Sequence, residues 1–304
     1  MVGRSHSRQQ YCLHRSGVKV DFSEGKNLGR KPNQDACCDK FCPRRRVMGC
    51  VMGLAQIRVR VYIWAKPTQK LCLKTLKFRS INDGFHLPPV RDQGDHCTCC
   101  SIVAVIQCIS SYYSIVTGNP PPLLSIQEPL NEIPSKAELS PFINTRRGHP
   151  CFTSWPAVPF SYSQRYQVGL EVDMPYVACP HDRHRIMPGP RMGIEDYVVL
   201  NDSSCEEVSW IVDNRHPVVG VFRGFGLAFA RYVEGVYRGQ YSGDGDYNIC
   251  HSVLIIGSEP DYFIIQNSAG RSWGMNGYGY VSKSLFCQFS YPIGAPTLTE
   301  FQGP

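Results

Sequence analysis

Three widely separated polar residues constrain what this chain can fold into. Cys99 lies in PPVRDQGDHCTCCSIVAVIQC, six residues after Gln93, with Gly94 between them. His251 opens HSVLIIG, and Asn267 lies in QNSAGRSWGMNGYGYV. A thiol is a good nucleophile only as its thiolate. An imidazole beside it accepts the proton, an amide oxygen fixes the ring, and a second amide can stabilise an oxyanion. If these residues act together, the fold must bring a site near residue 99 against two segments more than 150 residues downstream.

The local patterns suit that task. From Cys99 to about Thr117 the chain reads as a buried helix, with Ile102, Val105, Ile106, Ile109, Tyr113 and Val116 three or four apart. A cysteine in the first turn of a helix faces the positive end of the helix dipole, which favours the thiolate. Further on the rhythm changes. Val218–Phe222, Ser252–Gly257, Tyr262–Asn267 and Tyr278–Ser282 are short, apolar or alternating, and bounded by turn formers. Ser203–Asp213 is expected to be a helix among them.

Further blocks follow in a recognisable order: LSIQEPL, GLEVDMPYVA and NRHPVVGVFRGFGLAFARYVEGVYRG. With the Cys99, His251 and Asn267 segments, they resemble the papain-like cysteine proteases, most closely those of plants, from about Phe85 to Pro292. The resemblance implies an α+β fold of two lobes, one helical and one antiparallel and barrel-like, with an active cleft between. It implies peptide hydrolysis without a cofactor, with Cys99 as nucleophile, His251 as base, Asn267 as its orienting residue and Gln93 as oxyanion donor. Thr153, Ser154, Trp155, Pro156, Ile249 and Trp273 fall at substrate-binding positions. Trp155 and Pro156 match one wall of the specificity pocket, with Ile249 opposite. A protein or peptide substrate and cystatin-like inhibitors are the implied partners. The alternative is a papain-fold module that binds peptides without turnover.

Departures from the family pattern sharpen these expectations. Cys100 and Ala269 replace two tryptophans, and the second of these normally covers the asparagine–histidine hydrogen bond. The bond is therefore expected to be exposed to water. Cys250 replaces an Asp or Asn before the histidine. PCFTSWP replaces a glycine-rich strand, so Thr153 and Ser154 are expected to crowd the backbone approach. Cys151, Cys179 and Cys287 match halves of three family disulfides. The missing halves fall on His96, Glu132 and a loop near Gly245, and Cys97 is a substitute partner for Cys151.

Charge divides the chain. Residues 1–80 carry 18 Lys/Arg and 4 Asp/Glu; residues 81–304 carry 14 and 21. A boundary near residue 80 is expected, with a basic, poorly ordered segment before it and a peptidase domain of residues 81–304 after it. Within that domain the helical lobe is expected at about 85–187 and the β lobe at about 189–304. No inhibitory prosegment and no apolar leader are recognised in residues 1–80, which leaves the compartment open. Cys37, Cys38, Cys42 and Cys50 do not have zinc-ligand spacing. Aromatics are too sparse among the basic residues to suggest nucleic-acid stacking. The 131–150 segment is expected to be an exposed insertion, and no membrane span is expected.

Overall fold

The computed structural model describes residues 18–23, 58–63, 85–94, 100–145, 151–179, 188–239 and 249–302, the first two by backbone alone. The chain divides into two compact units. In the first, strands β1 (Val18–Ser23) and β2 (Arg58–Ile63) pair antiparallel, Val18 opposite Ile63. The alternating IRVRVYIWA predicts a strand over Ile57–Ala65, where β2 forms, and β1 alternates in the same way, with Val18, Val20 and Phe22 as its apolar positions.

The second unit holds the site. Its helical part contains α1 (Cys100–Thr117), α2 (Gln127–Glu132) and α3 (Ala157–Tyr166). The apolar positions of α1 that face inward, Ile102, Val105, Ile106 and Ile109, are all at most 2% exposed. Burying each contributes ~1.5–3 kcal/mol. Val116, in the last turn, is 45% exposed rather than buried. By length and composition α1 is apolar enough to cross a membrane, yet 78% of it is buried inside the protein, the place of a core helix. Residues 131–145, the described part of the expected insertion, are more structured than expected. Ile133 and Leu139 enter the core, and a short strand β3 (Ile143–Thr145) pairs antiparallel with β4 (Phe152–Ser154).

The rest is mainly sheet. In chain order the elements are β5 (Gly189–Asn201), α4 (Cys205–Asn214), β6 (Val218–Arg223), α5 (Leu227–Ala230), β7 (Val236–Tyr237), β8 (Cys250–Ser258), β9 (Tyr262–Gln266), β10 (Tyr278–Ser282) and β11 (Phe286–Phe301). They form one seven-stranded sheet in the order β5-β11-β6-β8-β9-β10-β7. Every pairing is antiparallel except β10 with β7. Central β8 reads CHSVLIIGS and is buried on both faces through its first seven residues, as a continuous apolar run requires. One face receives α1 and the other an aromatic cluster that includes Phe222, Phe229, Phe263 and Phe286.

A buried ion pair links the helical part to the sheet. Glu128, from LSIQEPL on α2, pairs with Arg191 on β5. The carboxylate also accepts from the Tyr162 hydroxyl at 2.9 Å and from the backbone N–H of Gly169 at 3.0 Å. Arg191 donates in addition to the carbonyl of Gln167 at 3.0 Å.

His216, just after α4, is buried against the rings of Tyr112 and Tyr291. Its Nδ1–H donates to the Pro217 carbonyl at 2.9 Å. Burial holds its pKa down at about 4, from 6.5. The unfolded chain therefore binds the extra proton first as pH falls. The resulting stability is complete above pH 6.5 and is lost progressively down to about pH 4. Its size is on the order of 3 kcal/mol. In urea unfolding at pH 7 and pH 4.5, His216→Phe should show a smaller drop between the two pH values than the unmodified protein. Equal drops would refute this.

Candidate active site

The site is built from the start of α1, the segment before it, and the sheet. His251 is the second residue of β8, opposite Phe222 of β6, and is 1% exposed. Its Nε2–H donates to Oδ1 of Asn267 at 2.8 Å. The same oxygen accepts the backbone N–H of Ser268 at 2.9 Å, which fixes the orientation of the amide. Asn267 directly follows β9 and is 2% exposed. The other ring nitrogen, Nδ1 of His251, is buried and has no hydrogen-bond partner among the described residues.

Gln93 is held to the same loop. Its backbone N–H donates to the Ser268 carbonyl at 2.8 Å, and the Ser268 hydroxyl donates to Oε1 of Gln93 at 2.6 Å. The Tyr176 hydroxyl donates to the Gln93 carbonyl at 2.9 Å. Asp92 forms a bridge with Ala269, and the N–H of Gly270 donates to the Arg91 carbonyl at 3.0 Å. Gly94, at φ +74°, turns the chain immediately afterwards. The amide of Gln93 is thus oriented by its oxygen, which leaves its Nε2 end on the side away from the Ser268 hydroxyl.

Cys99, Cys97 and His96 lie outside the described residues. Cys100 begins α1, and its Sγ accepts the backbone N–H of Ser252, the residue after His251, at 3.4 Å. Cys100 is 1% exposed, so it belongs to the packing of α1 on β8 rather than to a cleft wall.

The His251–Asn267 bond is not exposed to water, contrary to the expectation drawn from Ala269. The ring of Phe225 lies 4.8 Å from that of His251, with Phe229 at 5.6 Å and Phe222 at 5.8 Å. Around the bond, Phe225, Phe229, Ala230, Ala269 and Trp273 leave no space that admits a water molecule. No spacing in the sequence marks Phe225; its role is visible only in three dimensions.

The remaining positions separate. Thr153 is half-buried on β4, while the Ser154 side chain turns inward, Oγ 3.1 Å from that of Ser101, so only Thr153 could crowd a backbone approach. Trp155 packs beside Cys250, Val221 and Cys287, and Pro156 is buried at the start of α3. Ile249 is half-buried and packs toward the aromatic cluster; its carbonyl accepts the N–H groups of Gly224 and Phe225. Trp273 is 5% exposed; its indole N–H donates to the Phe229 carbonyl at 2.8 Å and its ring stacks on Tyr232. It lies in the packing behind His251.

The thiols follow the expected breakdown of the bridges only in part. Cys151 is disulfide-bonded, and its partner is not among Cys100, Cys108, Cys179, Cys205, Cys250 and Cys287, none of which is in a disulfide. The Cys97 substitute lies outside the described residues. Cys179 stays free, 3.9 Å from Cys151. Cys287 donates to the Val221 carbonyl at 3.4 Å. A hydrogen bond between the Cys250 and Cys287 thiols holds the Cys287 thiol down and pushes that of Cys250 up. No group of three or more metal-ligating side chains occurs among the described residues.

The model of the papain family of cysteine proteases matches residues 74–293. The chain belongs to the papain family. It is similar to papain of Carica papaya, 28% identical over 190 residues, covering 62% of this chain and 50% of papain. It is also similar to the oryzain gamma chain of Oryza sativa subsp. japonica, 26% identical over 196 residues, covering 62% and 50%. The chain thus spans about half the length of these relatives. Among solved structures, a Carica candamarcensis cysteine protease in complex with E-64 superposes with a TM-score of 0.56 at 23% identity, covering 72% of this chain and 97% of the other. That likeness establishes the papain fold, two lobes of α+β type. Within the family, the Cys250, Cys100 and Ala269 substitutions all fall around His251, and the geometry above shows how this member packs them.

Proposed function

We propose that this chain is a papain-type peptidase that hydrolyses peptide bonds with Cys99 as nucleophile. The observation that carries this reading is the dry His251–Asn267 hydrogen bond together with a buried Nδ1 on the other side of the ring that has no partner among the described residues. Consecutive Cα atoms are ~3.8 Å apart. Cys99 is therefore attached one residue from Cys100, whose sulfur touches the backbone beside His251.

In the proposed reaction, Nδ1 of His251 takes the Cys99 proton and the thiolate attacks the peptide carbonyl carbon. The side-chain N–H of Gln93, with the backbone N–H of Cys99, stabilises the oxyanion. The imidazolium then protonates the leaving amine, giving a thioester. Water, deprotonated by His251, hydrolyses the thioester and releases the carboxylate and the free thiol. Asn267 keeps the ring facing this path throughout. Trp155 and Pro156, with Ile249, would favour a substrate with an apolar side chain beside the cleaved residue. Thr153 and Ser154 would lie along the substrate backbone, and Trp273 would act from behind the histidine. Residues 81–304 would carry this activity, with residues 1–80 as a separate basic segment.

Labelling with a thiol-directed epoxide, followed by peptide mapping, tests the reading. A single adduct on Cys99 that abolishes cleavage of a peptide substrate is expected. Modification of Cys179 or Cys205 with Cys99 untouched would overturn it and favour a peptide-binding module.

A further inference from the structure

We infer that Phe225 is the positioning residue that keeps His251 on Asn267, replacing the covering ring that Ala269 cannot supply from the other loop. The inference rests on the proposed roles of His251 and Asn267. Ala269 ends at its Cβ, 6% exposed, two residues after Asn267. Phe225 comes from a different loop, the turn after β6. Gly224 makes that turn with φ +87°, a conformation that suits glycine. The N–H groups of Gly224 and Phe225 then both donate to the Ile249 carbonyl at 3.2 Å. Ile249 is two residues before His251, so the backbone that carries the histidine also fixes the phenylalanine. The Phe225 ring is 2% exposed and lies over the imidazole at an interplanar angle of 39°.

The loops carrying these residues are joined behind the ring. Trp273, from the Asn267 loop, donates its indole N–H to the Phe229 carbonyl of α5, just beyond Phe225. Phe225, Phe229 and Trp273 thus close a pocket in which the hydrogen bond has no competing water. A hydrogen bond contributes more when water cannot replace either partner. The same closeness has a consequence for position 269. Between Ala269 and the rings of Phe225, Phe229 and Trp273 there is no room even for a water molecule, so Ala269→Trp alone should overpack the pocket. The two positions should be coupled, with the larger ring tolerated only when Phe225 is removed.

The test uses the full chain as wild type, Phe225→Ala, Phe225→Leu, Ala269→Trp and the Phe225→Ala/Ala269→Trp double variant. Two quantities are read: kcat and KM on a peptide substrate, and the rate at which the His251 Nε2–H proton exchanges with water, by NMR. Phe225→Ala should lower kcat by about tenfold, the equivalent of one hydrogen bond's net contribution, with KM little changed and faster Nε2–H exchange. Phe225→Leu, which keeps an apolar cover, should retain most of kcat and slow exchange. Ala269→Trp alone should lower kcat, while the double variant should recover much of what Phe225→Ala loses. Unchanged kcat and exchange in Phe225→Ala, or a double variant no better than Phe225→Ala, would overturn the inference. Thermal unfolding of each variant identifies any that lose the fold, in which case Phe225→Leu and its exchange rate decide. If the wild type has no turnover, the proposed function fails, and the exchange rates still decide for or against Phe225.

Discussion

His251→Ala is expected to lower kcat/KM on a peptide substrate by roughly 10⁴-fold or more. In the proposed reaction the imidazole moves a proton both to and from the reacting atoms; one ring nitrogen is committed to Asn267 and the other has no hydrogen-bond partner among the described residues. Without it, a thiol at Cys99 stays protonated at neutral pH, and no general acid serves the leaving amine. KM should change far less, because the ring is buried rather than spread along a binding surface. Steady-state kinetics, with near-UV circular dichroism to confirm the fold, decide the point. Residual activity within tenfold of wild type would sink the proposed mechanism. Removing this ring also opens space beside Phe222, Phe225 and Phe229, so some loss of stability accompanies the loss of rate.

The largest expected effect on stability lies away from the site. Glu128→Ala should destabilise the protein by ~3–5 kcal/mol, the usual cost of leaving one member of a buried ion pair alone. Arg191 is 6% exposed and would keep its charge without a carboxylate, while Tyr162 and the N–H of Gly169 would lose their acceptor. For a domain of this size the shift in Tm is roughly 10 °C. The Glu128→Met/Arg191→Met pair should cost much less than Glu128→Ala, because neither charge is then stranded. Urea unfolding of both variants checks this, and equal losses would show that packing rather than charge holds the junction. The stake is functional as well, since this pair joins α2 to β5.

Much of the fold was legible because it is local. The α1 periodicity and the apolar runs of β6, β8, β9 and β10 are written within single segments, and their observed bounds lie within a few residues of the expected ones. β5 and β11 were not legible. Both carry prolines, Pro190 in one and Pro292 and Pro296 in the other, and their long pairing with each other, broken by a bulge between Ile293 and Pro296, is non-local. The same division holds at the site. His251, Asn267 and Gln93 could be named from motifs, because chemistry restricts the residue types. Phe225 could not, because covering a hydrogen bond demands only an apolar ring in the right place, and many chain segments can deliver one. Ser268 had no signal either; its part comes from a backbone crossing between residues 91–93 and 268–270.

That crossing has a mechanical consequence. Gln93, Asn267 and, through Asn267, His251 are fastened to one another by hydrogen bonds, whereas a Cys99 thiol would ride on the chain entering α1. The residue next to it, Cys100, is itself fastened to the sheet through the N–H of Ser252. Ring and amide thus hang from a single knot of backbone, so that a change at Ser268 would disturb both at once.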